Sequence, residues 1–95
     1  MTFDMREVEI EKYLKTQVSR IGGLCWKWTS PGMNGVPDRL VFVAGKCFPV
    51  ELKAPGKKPT PLQLRVHQIL HGVGFEVVVL DSKEAVNEFI TRISA

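Results

Sequence analysis

The chain reads as one α/β domain spanning residues 1–95, with elements in the order αβββαβα, and three observations predict it. Apolar residues recur at three- and four-residue spacing in separate stretches, as helices with one buried face require. Short runs rich in Val, Phe, Leu and Trp lie between them and read as strands. Loops dense in Pro and Gly, at residues 30–37 and 54–61, punctuate the pattern.

The first helix is expected from about Arg6 to Ile21, because Ile10, Leu14, Val18 and Ile21 fall on one stripe. Asp4 is its expected N-cap, with Glu7 three residues on, and Gly22-Gly23 its stop. Leu24 to Thr29 predicts a strand in which Trp26 and Trp28 alternate with Cys25 and Lys27. Core packing is the expected role of both tryptophans; stacking on bases is the alternative. Arg39–Ala44 and Cys47–Leu52 predict a hairpin around a Gly45-Lys46 turn. Thr60 is expected to cap a helix with Pro61 in its first position, running to about His71 and closed by Gly72 and Gly74. Phe75 to Leu80 predicts a buried strand. Asp81 or Ser82 then caps a last helix whose apolar face is Ala85, Val86, Phe89, Ile90 and Ile93.

Composition excludes several classes. An apolar share of 44% suffices for one core. The longest apolar stretches, such as Val77–Leu80, are too short to cross a bilayer. The segment Met1–Lys12 holds four acids and no following apolar run, unlike a secretory signal. Cys25 and Cys47 have no ligand spacing, which argues against a disulfide framework or a zinc site. These features predict a soluble, intracellular, cytoplasmic protein. The net charge of +3 is unevenly spread: Leu52 to Phe75 contains Lys53, Lys57, Lys58 and Arg65 and no acid. Such a segment suits a polyanion, although a solvated lysine-rich loop has the same composition.

The chemistry concentrates in Asp38 and in Val50-Glu51-Leu52-Lys53. A Gly45-Lys46 turn would pair Ala44 with Cys47, placing Asp38 opposite Lys53 and Leu40 opposite Glu51, unless a bulge at Pro37-Asp38 intervenes. Glu51 and Lys53 share a face because strand side chains alternate. Two carboxylates beside an ammonium suit Mg²⁺ or Mn²⁺ and a phosphate; a structural salt bridge between strands is the competing reading. Glu7 extends the stripe of Ile10 and Leu14 and is expected to point inward as a third ligand, possible through water, with Glu11 as its competitor. Gln63, in the first turn of its helix, is placed to hold a water or a phosphate. His67, on the same face, is expected to be structural, and Lys27 and Arg39 are candidate phosphate contacts.

The strings Gly35-Val36-Pro37-Asp38-Arg39-Leu40, Val50-Glu51-Leu52-Lys53-Ala54-Pro55-Gly56-Lys57 and Pro61-Leu62-Gln63 together resemble the VRR-NUC (virus-type replication-repair nuclease) family of the PD-(D/E)xK superfamily. The similarity runs from about Glu7 to Asp81. It implies a restriction-endonuclease-like αβββαβα core with a central mixed β-sheet flanked by helices. It also implies a Mg²⁺- or Mn²⁺-dependent endodeoxyribonuclease. Asp38, Glu51 and the Leu52 carbonyl would bind the ion, Glu7 would match the first-helix acid, and Lys53 and Gln63 would complete the catalytic set. Lys27, Arg39, Lys57, Lys58 and Arg65 are the expected DNA contacts. Small stand-alone members from phages and bacteria resemble Holliday-junction resolvases, so a homodimer acting on branched DNA is expected. Two symmetric cuts call for two sites. Trp26, Trp28 and exposed parts of the strands are the candidate dimer surface. A less selective nuclease and a non-catalytic DNA-binding module are the alternatives.

Overall fold

Helix-spaced apolar residues at both ends of the chain fold onto one face of a sheet formed from its middle. The computed structural model describes residues 6–94. The elements are α1 (Glu7–Arg20), β1 (Leu24–Lys27), β2 (Arg39–Val43), β3 (Lys46–Leu52), α2 (Pro61–Gly72), β4 (Val78–Leu80) and α3 (Lys83–Ser94). This is the expected αβββαβα order. The sheet order is β1-β2-β3-β4, antiparallel between the first three strands and parallel between β3 and β4, hence mixed. Among the described residues, no helix is long and apolar enough to cross a membrane.

Ile10, Leu14 and Val18 of α1 and Val86 and Phe89 of α3 pack against Val41, Val50, Leu52 and Leu80 in a single core. The alternate residues of β3, including Glu51, therefore face the other side, where α2 lies. Helices α1 and α2 stop at glycines, as expected. Gly22 (φ 79°) and Gly74 (φ 99°) take the left-handed conformation. The amides of Gly23 and Phe75 then return to the carbonyls of Val18 and Leu70, at 3.0 and 2.9 Å. Thr60 caps α2 with a full capping box to Gln63, and the Ser82 hydroxyl accepts the Ala85 amide to start α3.

Four expectations need correction. The expected N-cap Asp4 lies outside the described residues, and the cap position belongs to Arg6, whose side chain makes no capping hydrogen bond. The hairpin turn is Ala44-Gly45, both at positive φ (50° and 76°), so Val43 pairs with Lys46. That conformation is the primed turn whose twist suits a two-residue hairpin, and Ala44 accepts its cost. The strand expected from Phe75 to Leu80 shrinks to Val78–Leu80. As an edge strand covered on one face, it leaves Val79 and the preceding Phe75 exposed. Trp26 is 60% exposed rather than in the core, meeting Phe42 edge-on at 5.7 Å. Cys25 and Cys47 are free and half-buried.

Two glycines with different surroundings test this packing. A Cβ on Gly23 would lie 2.9 Å from both the Phe42 carbonyl and a Val18 methyl, whereas a Cβ on Gly72 meets nothing. Gly23→Ala should destabilise the fold by about 1–3 kcal/mol. Gly72→Ala, in the last turn of a helix, should stabilise it by about 0.5–1 kcal/mol. Urea unfolding of the two variants measures both signs.

Candidate active site

The site forms where β2 begins, β3 ends and α2 starts. Regular pairing sets Arg39 against Val50, yet the Asp38 amide also donates to the Val50 carbonyl, at 3.0 Å. Two residues of β2 thus oppose one of β3, which is the signature of a bulge. The bulge turns the Asp38 carboxylate back onto the neighbouring strand, where Oδ2 accepts the Leu52 amide at 2.8 Å. The Asp38 carbonyl accepts the Trp28 amide at 3.0 Å, so β1 also anchors this residue. The expected pairing of Asp38 with Lys53 is thereby replaced. Asp38 lies across from the Glu51 region, because the turn sits one residue earlier and the bulge adds its own offset.

Glu51 is 1% exposed and is the single buried charged residue among those described. Side chains from α2 reach both of its oxygens: Gln63 Nε2 donates to Oε2 at 3.4 Å and His67 Nε2 meets Oε1 at 3.3 Å. The capping box fixes the Gln63 amide, since its Oε1 already accepts the Thr60 amide at 2.9 Å and leaves Nε2 to face Glu51. Gln63 thus reaches the site by holding Glu51. Burial foremost, then a hydrogen bond with the Asp38 carboxyl and its charge, pushes the Glu51 pKa up to about 8; Lys53 opposes this and Glu7 adds to it. Burial and the Lys53 charge push His67 below its ordinary value. The contact between His67 and Glu51 is therefore a hydrogen bond of a neutral imidazole rather than an ion pair.

The first-helix acids separate clearly. Glu11 pairs with Arg39, Oε2 to Nε at 2.9 Å, while Arg39 Nη1 donates to the Cys25 carbonyl at 3.2 Å. Arg39 is 12% exposed and clamps α1, β1 and β2 together, so it is not the phosphate contact expected of it. Glu7 is exposed, not inward-pointing, yet near enough for its charge to act on Glu51. Glu11 is engaged by Arg39, and Glu7 is the α1 acid whose charge acts on Glu51. Lys27, Lys57, Lys58 and Arg65 are all exposed. Lys57 and Lys58 follow a turn closed by the Lys57 amide on the Ala54 carbonyl, with Gly56 at φ 80°. His67 takes the structural role expected of it, and its partner, the Glu51 carboxyl, is what the sequence did not name.

The donor set fits a hard divalent cation. Among the described residues no three His, Cys, Asp or Glu side chains gather into a metal cluster, so Asp38 and Glu51 are the close pair. The Lys53 amide points to β4, donating to the Leu80 carbonyl at 3.0 Å, so by alternation the Leu52 carbonyl points to the Asp38 side. Two carboxylates and a backbone carbonyl are oxygen donors of the kind Mg²⁺ accepts while keeping several waters.

No family model matches the chain. A protein of Acyrthosiphon pisum secondary endosymbiont phage 1 named "Putative nuclease p44" is 54% identical over 81 residues, spanning 84% of this chain and 87% of its own. A solved structure described as a VRR_NUC domain superposes with a TM-score of 0.85 at 36% identity, covering 90% of this chain and 94% of that one. Fold and likeness together define a nuclease domain. The chain belongs to the VRR-NUC family.

The raised Glu51 pKa has a measurable consequence. The folded state keeps this proton while the unfolded chain, near the ordinary 4.5, releases it. The stabilisation is therefore complete below about pH 4.5 and is lost as pH rises through about 8. Metal-free protein should lose a few kcal/mol over that span, since one pKa unit is about 1.4 kcal/mol. Glu51→Gln should flatten the profile and raise the Tm at the alkaline end. Thermal melts across the pH range give the answer, and a wild-type profile that stays flat would contradict it.

Proposed function

We propose that this nuclease is a Mg²⁺- or Mn²⁺-dependent endodeoxyribonuclease that acts on branched DNA as a homodimer. The observation that carries the reading is Glu51: a buried carboxylate beside the Asp38 carboxylate, an arrangement that costs free energy until a cation answers it. Asp38, Glu51 and the Leu52 carbonyl would hold the ion, with Glu7 contributing through water. A bound ion of this class polarises the scissile phosphate and lowers the pKa of a coordinated water. Lys53, two residues from Glu51 on the same face, orients that water or offsets charge developing on phosphorus. Gln63 and His67 fix the rotamer of Glu51 so that its oxygens do not reorganise during the reaction. Lys57, Lys58 and Arg65, on the loop and first turns beside the site, meet the phosphate backbone.

The homodimer reading draws on α2. Leu62, Ile69 and Val73 recur at seven and four residues, on one side of the helix, and all are exposed, Val73 by 69%. A stripe of this kind suits an isologous contact between two copies, which would present two sites for paired cuts.

Nicking of a labelled four-way junction should require Mg²⁺ or Mn²⁺ and stop in EDTA. Asp38→Asn and Lys53→Met should each reduce the rate by about 10²–10³-fold or more, the scale of losing one preorganised electrostatic group. Cleavage persisting in EDTA refutes the metal. Equal rates on junction, flap and plain duplex remove the branched-DNA preference and keep the chemistry. Ile69→Asp combined with Val73→Asp should give a monomer by light scattering that still nicks but no longer makes paired cuts.

A further inference from the structure

Helix α2 carries two histidines, His67 and His71, and neither ring is a ligand of the acid pair's ion. Four residues apart on one helix, they stand on the same face a turn apart, with Cβ atoms about 5–6 Å from each other. Both line a cleft of about 350 Å³ between α2 and the segment that leads into β4, together with Gln68 and Glu76. Neither Asp38 nor Glu51 lines this cleft, so it lies beside the acid pair, and His67 is common to both places.

His67 is already oriented as a metal ligand would be. Its Nε2 meets Glu51 Oε1 at 3.3 Å, and its side chain is 13% exposed. Among the described residues Nδ1 forms no hydrogen bond, and no buried side-chain nitrogen lacks a partner, so Nδ1 reaches solvent. A histidine that binds a metal through one ring nitrogen usually has the other on a carboxylate, a backbone carbonyl or water, which fixes the ring. Glu51 gives His67 that support before any ion arrives. His71 is exposed, so its ring can turn into the cleft. The Lys53 charge, which acts on His67, opposes a cation there, while Glu76 at the rim brings charge of the opposite sign.

We infer that this cleft is a second metal site, formed by His67 Nδ1 and a ring nitrogen of His71. Its ion is a divalent transition metal of the kind imidazole prefers: Cu²⁺, Ni²⁺ or Zn²⁺. Among the described residues no third His, Cys, Asp or Glu closes the set, so water completes the coordination. Nitrogen donors separate this site from the Asp38–Glu51 pair, whose oxygens suit Mg²⁺. The inference does not rest on the nuclease reading, because it needs only the two rings of α2 and the support of one by Glu51.

Calorimetric titration of untagged protein with Ni²⁺, in excess Mg²⁺, tests it. Mg²⁺ fills oxygen-donor sites and competes poorly for imidazole. One Ni²⁺ per chain should bind, with an affinity that further Mg²⁺ leaves unchanged. His71→Gln should weaken it by at least about tenfold, the lower end of what losing even an outer partner of a metal ligand costs. The metal-free Tm of His71→Gln should match wild type, because the side chain is exposed, so lost binding is not lost folding. Asp38→Asn should bind Ni²⁺ as wild type does. With Cu²⁺ bound, electron paramagnetic resonance should show coupling to two imidazole nitrogens in wild type and not in His71→Gln. The inference is overturned if wild-type protein binds no Ni²⁺ under these conditions, or if Mg²⁺ displaces it. Binding that survives His71→Gln but not Asp38→Asn puts the ion on the acids, which overturns it as well. None of these failures touches the nuclease reading, and cleavage that persists in EDTA would leave the histidine site standing.

Discussion

A carboxylate sealed from water is the constraint around which this fold is arranged. Glu51 sits near the end of a central strand, where β2, β4 and α2 leave it almost no contact with solvent. Each neighbour supplies part of what its charge needs. Gln63 and His67 give one contact to each oxygen, and Lys53 contributes positive charge from two residues away. These together still fall short, because Asp38 adds a second negative charge to the same place. A core assembled only for stability would place an apolar side chain here, as β3 does at Val50 and Leu52. The acid meets this deficit by keeping its proton up to about pH 8, so any group that takes its place must displace that proton.

The bulge at Asp38 is how the sheet releases a second oxygen donor at that point. A regular ladder would satisfy the Leu52 amide with a backbone carbonyl and send the next side chain off at the alternation angle. Instead the Asp38 carboxylate accepts this amide, and the accounting of buried backbone groups still closes. The strand pair ends without an orphan donor, and the Asp38 side chain is aimed by a backbone contact that cannot rotate away. Fully buried Pro37 before it and Trp28 beside it leave the segment little freedom. Positioning by backbone geometry holds the Asp38 carboxyl close to Glu51, where the two acids act on each other.

Much of this was legible from residue order, and the limits have physical reasons. The seven elements follow from periodicity and from Gly, Pro and Thr at helix ends, and those local rules held at Gly22, Thr60, Pro61, Gly74 and Ser82. The hairpin register was misjudged by two residues, and alternation could not have exposed the error: either register keeps Val41, Val50 and Leu52 on the core face. Turn chemistry alone decides between them, and Ala44 at positive φ is a conformation that a sequence rarely advertises. Trp26 was misjudged because an alternating pattern says which residues share a face, not whether anything covers that face. Arg39 was misread as a free cation because Glu11, 28 residues earlier, becomes its partner only after α1 folds across β1. The acids and lysine of the site were visible as a motif; the clamp of Gln63 and His67 on Glu51 needed the fold.

Charge in this protein therefore divides into two populations with different work. Arg39 and Glu11 answer each other inside the structure and fix the helix that carries Glu7 against the strand that follows Asp38. Lys53 is half-buried, and its charge acts on Glu51 and on His67. Of the exposed cations, Lys57 and Lys58 lie on the loop after Lys53 and Arg65 in the first turns of α2, while Lys12 and Lys15 lie on α1 and Lys46 and Lys83 elsewhere on the surface. A net charge of +3 hides this partition, because the paired groups cancel while the surface cations remain. A field that small draws in a polyanion only weakly at long range, and salt screens it within about 8–10 Å. Contacts with a nucleic acid would then depend on where the surface cations stand relative to Asp38 and Glu51 rather than on overall attraction. The segments that border the acids, and so would make such contacts, are the end of β1, the loop before Asp38 and the turn after Lys53.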